Sequence, residues 1–185
     1  MTVERSTIFA GFGGQGILFA GKVLAEAALL EGREVLWIPS YGPEMRGGTA
    51  SCTVIVADRV IGSPVVDRAD HAVVLNPPSM ARYAPSVAEG GLLVVNTTLI
   101  EAEPGRTDLD VLEVPCTALA RRAGDDKLVS VVALGAMLGR RRFVERESVH
   151  TALARMLGLK RPELIDLDCA AFDAGYEAGL ERVIA

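Results

Sequence analysis

"GFGGQGILFAGK", Gly11 to Lys22, follows directly on the apolar run "STIFA", Ser6 to Ala10. Gly11, Gly13 and Gly16 have the G-x-G-x-x-G spacing of a strand that turns sharply into a helix beside a dinucleotide. One glycine tolerates the backbone angles of the turn, one lets the backbone approach a phosphate, and one lets helix and strand pack closely. The N–H groups of the helix start then face an anion, which the helix dipole favours. The flanks agree. "STIFA" reads as a buried strand. From Gln15 to Glu31 apolar residues recur at helical spacing (Ile17, Leu18, Val23, Leu24, Ala27, Ala28, Leu30), and Gly32 stands where a helix stops.

The ribose contact of a nicotinamide or flavin dinucleotide site is missing. That site places Asp or Glu at the end of the second strand, about 20 residues on. Here the second strand is "EVLWIP", Glu34 to Pro39, and it runs into Ser40 with no acid. Glu34 and Arg33 lie at the wrong end of it. Neither NAD nor FAD is expected. Two readings remain for the turn: another phosphate or diphosphate ligand, or a tight turn packed against a partner protein.

Outward from the turn, short apolar strands alternate with helices. "ASCTVIVA" (Ala50–Ala57), "HAVVLN" (His71–Asn76), "GLLVVN" (Gly91–Asn96) and "DVLEVP" (Asp110–Pro115) read as strands. "PSMARYAPSVAEG" and "CTALARRAG" read as helices. "DRVIG", Asp58 to Gly62, reads as a hairpin-like return, so an antiparallel strand is expected to interrupt the order. After Val129 the chain turns helical. "SVVALGAMLG" is apolar nearly all round and should be buried. "ERESVHTALARMLG" is amphipathic, and a C-terminal helix starts near Pro162. The expected class is α/β: a Rossmann-like, mostly parallel sheet with helices on both faces and a helical C-terminal region, residues 1–185 forming one domain.

Composition narrows the function. Half of the 185 residues are hydrophobic and the net charge is −5, so no nucleic-acid footprint is expected. No apolar run reaches the ~20 residues of a membrane span, and the first residues have no signal-peptide pattern. No membrane association and a cytoplasmic location are expected. Cys52, Cys116 and Cys169 are scattered, as are His71 and His150, so no metal site is expected. The basic cluster Arg140–Arg142 suits a helix end.

Open parallel sheets bind ligands at the carboxyl ends of their strands. Those ends place Gly11, Gly13, Gly14, Gln15, Gly16, Asn76 and Asn96 as candidate phosphate contacts, with turn and helix-cap chemistry the other reading of both asparagines. "PSYGPEMRGGTASCTVIVAD", Pro39 to Asp58, is the least generic stretch. It adds Tyr41, Glu44 and Arg46. The Arg46 guanidinium can fork onto a phosphate or carboxylate. Alternatively it tethers Glu44 or a neighbouring subunit.

Taken together, "GFGGQG", "PSYGPEMRGGTASCTVIVAD", "SPVVDRADHAVVLN" and "ALGAMLG" resemble the gamma-subunit family of the 2-oxoacid:ferredoxin oxidoreductases, from about Ile8 to Tyr176. The resemblance implies a multi-subunit enzyme that oxidatively decarboxylates a 2-oxoacid, forms acyl-coenzyme A and passes electrons through Fe–S clusters to ferredoxin. It implies thiamine diphosphate and Mg²⁺ on alpha and beta partner subunits, and clusters on beta or delta. The gamma unit is associated with coenzyme A binding or access, and contains no catalytic residue of its own. Two positions depart from the family pattern. Ser130 and Asp168 stand where Asn is frequent, and each must replace whatever hydrogen bond that Asn makes. The competing functions are a free-standing nucleotide- or coenzyme A-binding regulatory module, and a reductase with its own flavin or nicotinamide.

Overall fold

The computed structural model describes residues 4–41, 48–158 and 161–180. Its strands are β1 (Glu4–Phe12), β2 (Glu34–Tyr41), β3 (Thr49–Ala57), β4 (Ala69–Val74), β5 (Val87–Asn96) and β6 (Asp110–Val114). Its helices are α1 (Ile17–Leu30), α2 (Pro77–Tyr83), α3 (Cys116–Ala123), α4 (Val129–Arg141), α5 (Arg146–Gly158) and α6 (Ile165–Leu180). The strands form one sheet in the order β2-β3-β1-β4-β5-β6. β1, β4, β5 and β6 are parallel neighbours, whereas β3 runs antiparallel to both β1 and β2.

Strand residues alternate between two cores because successive side chains leave a sheet on opposite faces. On one face Phe9, Val54, Val56, Val73, Leu92 and Val94 meet α1, α3, α4, α5 and α6. On the other, Ile8, Ala10, Ala72, Val74, Leu93 and Val95 meet Met80, Ala84 and Ile100. Central strands covered on both sides read as continuous apolar runs, which is why they were legible as strands.

α1 starts at Gly16, whose φ is 77°, and stops at Gly32, whose φ is 74°. The Gly32 N–H donates to the Leu29 carbonyl (3.0 Å) and the Arg33 N–H to Ala28 (3.2 Å), so a Schellman motif closes the helix. α4, buried from Val129 to Gly139, packs along α6 through glycines. A Cβ at Gly175 or Gly179 would collide with the carbonyl of Val132 or Ala136, and one at Gly135 or Gly139 with that of Phe172 or Tyr176. The two backbones are therefore in direct contact. The basic cluster ends α4 as expected, but Arg140 and Arg141 are held there by ion pairs with Asp110 of β6 (2.7 and 2.8 Å).

Two expectations change. "PSMARYAPSVAEG" is not one helix. α2 ends at Tyr83, a 3-10 turn covers Ala84–Ser86, and β5 begins at Val87, opposite Ala69. Pro85 has no N–H to continue the helical ladder, so the chain leaves the helix there. The antiparallel strand exists, but "DRVIG" is not its hairpin. The hairpin partners are β2 and β3, while Asp58–Arg68 carries the chain from β3 to β4 past the intervening β1. Among the described residues no helix is long and apolar enough to cross a membrane.

Candidate functional site

The carboxyl ends of β1, β4 and β5 and the start of β3 lie along one edge of the sheet. The glycine turn sits in the middle of it. The Gln15 side chain folds back over the turn, and its Oε1 accepts from the Phe12 N–H (2.7 Å), while the Gln15 N–H donates to the Phe12 carbonyl (3.1 Å). Gly11 makes room for this, since a Cβ there would lie 2.6 Å from Gln15 Oε1 and 2.9 Å from Ile17 Cδ1. Gly14 is exposed with φ 101° and nothing near its missing Cβ. The Gly13 N–H donates to the Gly48 carbonyl at 2.9 Å, fixing the turn to the segment that leads into β3.

Gly16 begins α1 without a side-chain cap, and no acidic residue occupies the first turn. The first-turn N–H groups have no helical acceptor and carry the positive end of the dipole. The residues of this helix start, Gly16, Ile17, Leu18 and Phe19, line a groove of about 300 Å³ together with Phe12, Gly13, Gly14 and Ala50. The groove therefore combines backbone donors with an apolar wall. Phe12, Leu18, Phe19 and Ala50 did not stand out in the sequence, because apolar residues beside a turn read as core.

Asn76 and Asn96 hold this edge from within, and both are fully buried. Asn76 Oδ1 accepts from the Ser79 N–H (2.9 Å), capping α2, and its Nδ2 lies 3.5 Å from Gln15 Oε1. Asn96 Nδ2 donates to Thr117 Oγ1 (3.0 Å) and to the Leu75 carbonyl (3.3 Å), and its Oδ1 accepts from the Thr117 N–H (3.3 Å). Their amides are spent on neighbouring strands and helices, so they position the edge rather than face a ligand. Tyr41 ends β2 opposite Ala50. Glu44 and Arg46 lie outside the described residues.

Behind the turn stands the start of α4. Ser130 Oγ is buried without a hydrogen-bond partner, 2.5 Å from where a Cβ on Gly16 would sit. Ser130 therefore makes no substitute for an amide hydrogen bond at this position. Asp168, 4% exposed, is pushed up to about 6, first by burial and then by the neighbouring charge of Asp125.

The thiols are separate and protonated. Burial pushes Cys52 and Cys116 up to about 12, and Cys169 is raised by burial and three nearby aspartates. Cys52 donates to the Ile17 carbonyl at 3.5 Å beneath α1. Among the described residues no three His, Cys, Asp or Glu side chains group together as metal ligands.

A larger cavity, about 840 Å³, opens at the opposite, amino edge, lined by Arg5, Arg33, Asp70, His71, Arg141 and Phe143 among others. Its cations are mostly engaged internally. Arg33 pairs with Asp58 (3.0 Å) and donates to the Phe143 carbonyl (2.6 Å), and Arg5 lies 3.5 Å from Asp70. His71 stacks on Phe143 with ring centres 5.0 Å apart. Desolvation lowers it to about 4 and keeps it neutral. The carboxyl edge, where parallel sheets bind ligands, is the better candidate despite its smaller groove.

Comparison with known proteins places the chain. The family model described as pyruvate ferredoxin/flavodoxin oxidoreductase matches residues 6–178. The ketoisovalerate oxidoreductase subunit VorA of Methanothermobacter thermautotrophicus is 38% identical over 175 residues, 94% of this chain and 36% of that protein. The chain thus spans about a third of the length of the ketoisovalerate oxidoreductase subunits it matches. The 2-oxoglutarate synthase subunit KorC of Methanocaldococcus jannaschii is 32% identical over 184 residues, 97% of this chain and 96% of that one. The crystal structure of the keto/oxoacid ferredoxin oxidoreductase gamma subunit from Geobacter sulfurreducens superposes with a TM-score of 0.82 at 29% identity, over 95% of this chain and 98% of that one. The chain belongs to the pyruvate ferredoxin/flavodoxin oxidoreductase family.

Proposed function

We propose that this chain is the gamma component of a multi-subunit 2-oxoacid:ferredoxin oxidoreductase, and that its glycine-turn groove receives or admits coenzyme A. In this reading alpha and beta partners bind thiamine diphosphate and Mg²⁺, beta or delta chains hold the Fe–S clusters, and ferredoxin takes the electrons. The residues described here do not fit a cluster: the three cysteines are separate, and Cys52 and Cys116 are deeply buried neutral thiols. The division of labour therefore leaves the isolated chain without turnover.

The observation that carries the coenzyme A reading is the groove itself. Unpaired helix-start N–H groups suit a phosphate, and the wall formed by Phe12, Leu18 and Phe19 suits the long, largely uncharged arm attached to it. Arg46, between β2 and β3 in the sequence, supplies a second phosphate contact in this proposal. Steady-state kinetics of the assembled enzyme with Arg46→Ala test it. Losing a hydrogen bond to a charged group costs about 1.5–3 kcal/mol, a rise of about ten- to hundredfold in the KM for coenzyme A. The KM for the 2-oxoacid should barely move. An unchanged coenzyme A constant, or tight NAD binding by calorimetry, would return the turn to a purely structural role.

A further inference from the structure

Residues 97 to 109 join the adjacent parallel strands β5 and β6 without a helix. Parallel neighbours are ordinarily joined through a helix, and an ordered connection of this length lacking one is usually functional. This one is pinned down. The Leu99 and Ile100 N–H groups both donate to the Asn96 carbonyl at 3.1 Å. Arg106 Nη1 donates to the carbonyls of Val87 (2.7 Å) and Ala84 (3.1 Å), and Ile100 is buried on the sheet.

Where a crossover helix would lie, the loop and α2 instead enclose a cavity of about 190 Å³. Buried Met80 and Ile100 line it together with Pro77, Pro85 and Pro104, so its lining is largely apolar and stiff. Small-molecule pockets occupy roughly 300–1,000 Å³. This one is the size of a side chain. Glu101 and Glu103 also line it, both are exposed, and neither makes an ion pair or hydrogen bond among the described residues. Two unpaired carboxylates beside an apolar hole repel phosphate and attract ammonium groups. The hole lies on the sheet face opposite the five packed helices, a face covered among the described residues by α2, the 3-10 turn after it, this loop and Val66.

We infer that this pocket docks a segment of a different protein chain, which inserts one large apolar side chain and sets lysines against Glu101 and Glu103. The anchor in a preformed pocket supplies the affinity, and the charges supply register and partner choice. The inference rests on the assembly reading above.

Carboxylate labelling of the assembly purified from its own host tests it. Carbodiimide with glycine ethyl ester should modify Glu101 and Glu103 fully in the isolated chain, and at least about fivefold less in the assembly. Carbodiimide alone should link one of them to a lysine of another chain, next to an apolar residue. Two variants at exposed positions, Ala81→Arg and the double change Glu101→Lys with Glu103→Lys, should leave the fold intact, abolish the link and weaken retention of that chain about tenfold. Partners that co-purify while both glutamates label as they do in isolation would overturn this inference alone. So would a link to a second copy of this chain. Absence of any co-purifying chain would overturn both this inference and the assembly reading.

Discussion

Replacing Gly16 by alanine should destabilise the chain by about 2–5 kcal/mol, and deleting the Ser130 hydroxyl should restore about half of the loss. The first part of the cost is conformational. Gly16 has φ 77°, and a residue with a Cβ is disfavoured there by about 1–2 kcal/mol. The second part is steric. The new methyl would lie 2.5 Å from Ser130 Oγ, but 3.6 Å from Ser130 Cβ and 3.5 Å from the Lys127 carbonyl, so the collision is with the hydroxyl alone. α4 cannot simply retreat, because its backbone is already pressed against α6. Overpacking of this kind costs about 1–3 kcal/mol.

Ser130→Ala on its own should be neutral, or stabilising by up to about 1 kcal/mol, because the hydroxyl it removes is buried and unpaired. The double variant should therefore retain only the conformational cost, giving a coupling of about 1–3 kcal/mol. Equilibrium urea unfolding, followed by circular dichroism and by Trp37 fluorescence, yields all four free energies. A coupling below about 0.5 kcal/mol would refute the contact. A loss above about 1 kcal/mol for Ser130→Ala would show that its hydroxyl is hydrogen-bonded after all.

Gly175→Ala should cost about 2–4 kcal/mol in urea unfolding even though alanine favours helices by about 1 kcal/mol, because its methyl would strike the Val132 carbonyl. His71 is held at about 4, against an ordinary value of about 6.5, chiefly by burial. It therefore contributes stability that is complete above pH ~6.5 and lost as the pH falls through 4, about 3 kcal/mol in all. Unfolding of His71→Gln at pH 7, 5.5 and 4.5 should show a flatter acid limb. Asp168 has the opposite sign. Raised to about 6, chiefly by burial, it favours folding below pH ~3.9 and loses that contribution as the pH rises through 6. Asp168→Asn should accordingly stabilise the chain at pH 7.5 by about 1–3 kcal/mol and leave it nearly unchanged at pH 4, read as the shift of the urea midpoint.

Period and apolarity were enough to find the central strands and α4, because residues covered on both sides leave no polar face to confuse the pattern. They were not enough at the connections. β5 extends back to Val87 because Val87 pairs with Ala69 of β4 across an irregularity at Ala88–Gly91, a contact that depends on the neighbouring strand rather than on local propensity. The glycine turn was visible as spacing, whereas its construction was not. Gln15 looks like an exposed turn residue until Gly11 is seen to leave the space into which its side chain folds. Helix capping is one of the two readings of Asn76 and Asn96, and Asn76 does cap α2, but the other partners of their amides were not visible. Their amides point inward only because Ser79, Leu75 and Thr117 arrive from other elements to meet them.

Strand order explains why this turn lacks the dinucleotide acid. In a dinucleotide fold the second strand lies next to the first, and its terminal carboxylate stands beside the turn to hold the ribose. Here β3 is inserted between β1 and β2. Adjacent strands lie about 4.8 Å apart, so the end of β2 is roughly twice that distance from β1. The place beside the turn belongs instead to the entry into β3, where the Gly48 carbonyl accepts from Gly13. Restoring an acid at the end of β2 would thus leave it a strand too far away. The same insertion brings Ala50 into the groove beside Phe12, replacing a polar ribose contact with an apolar one. In the proposed reading, a ligand held here sets a phosphate at the helix start and lays an uncharged arm along that wall, as coenzyme A would, with no acid beside the turn to hold the ribose diol of a nicotinamide or flavin dinucleotide.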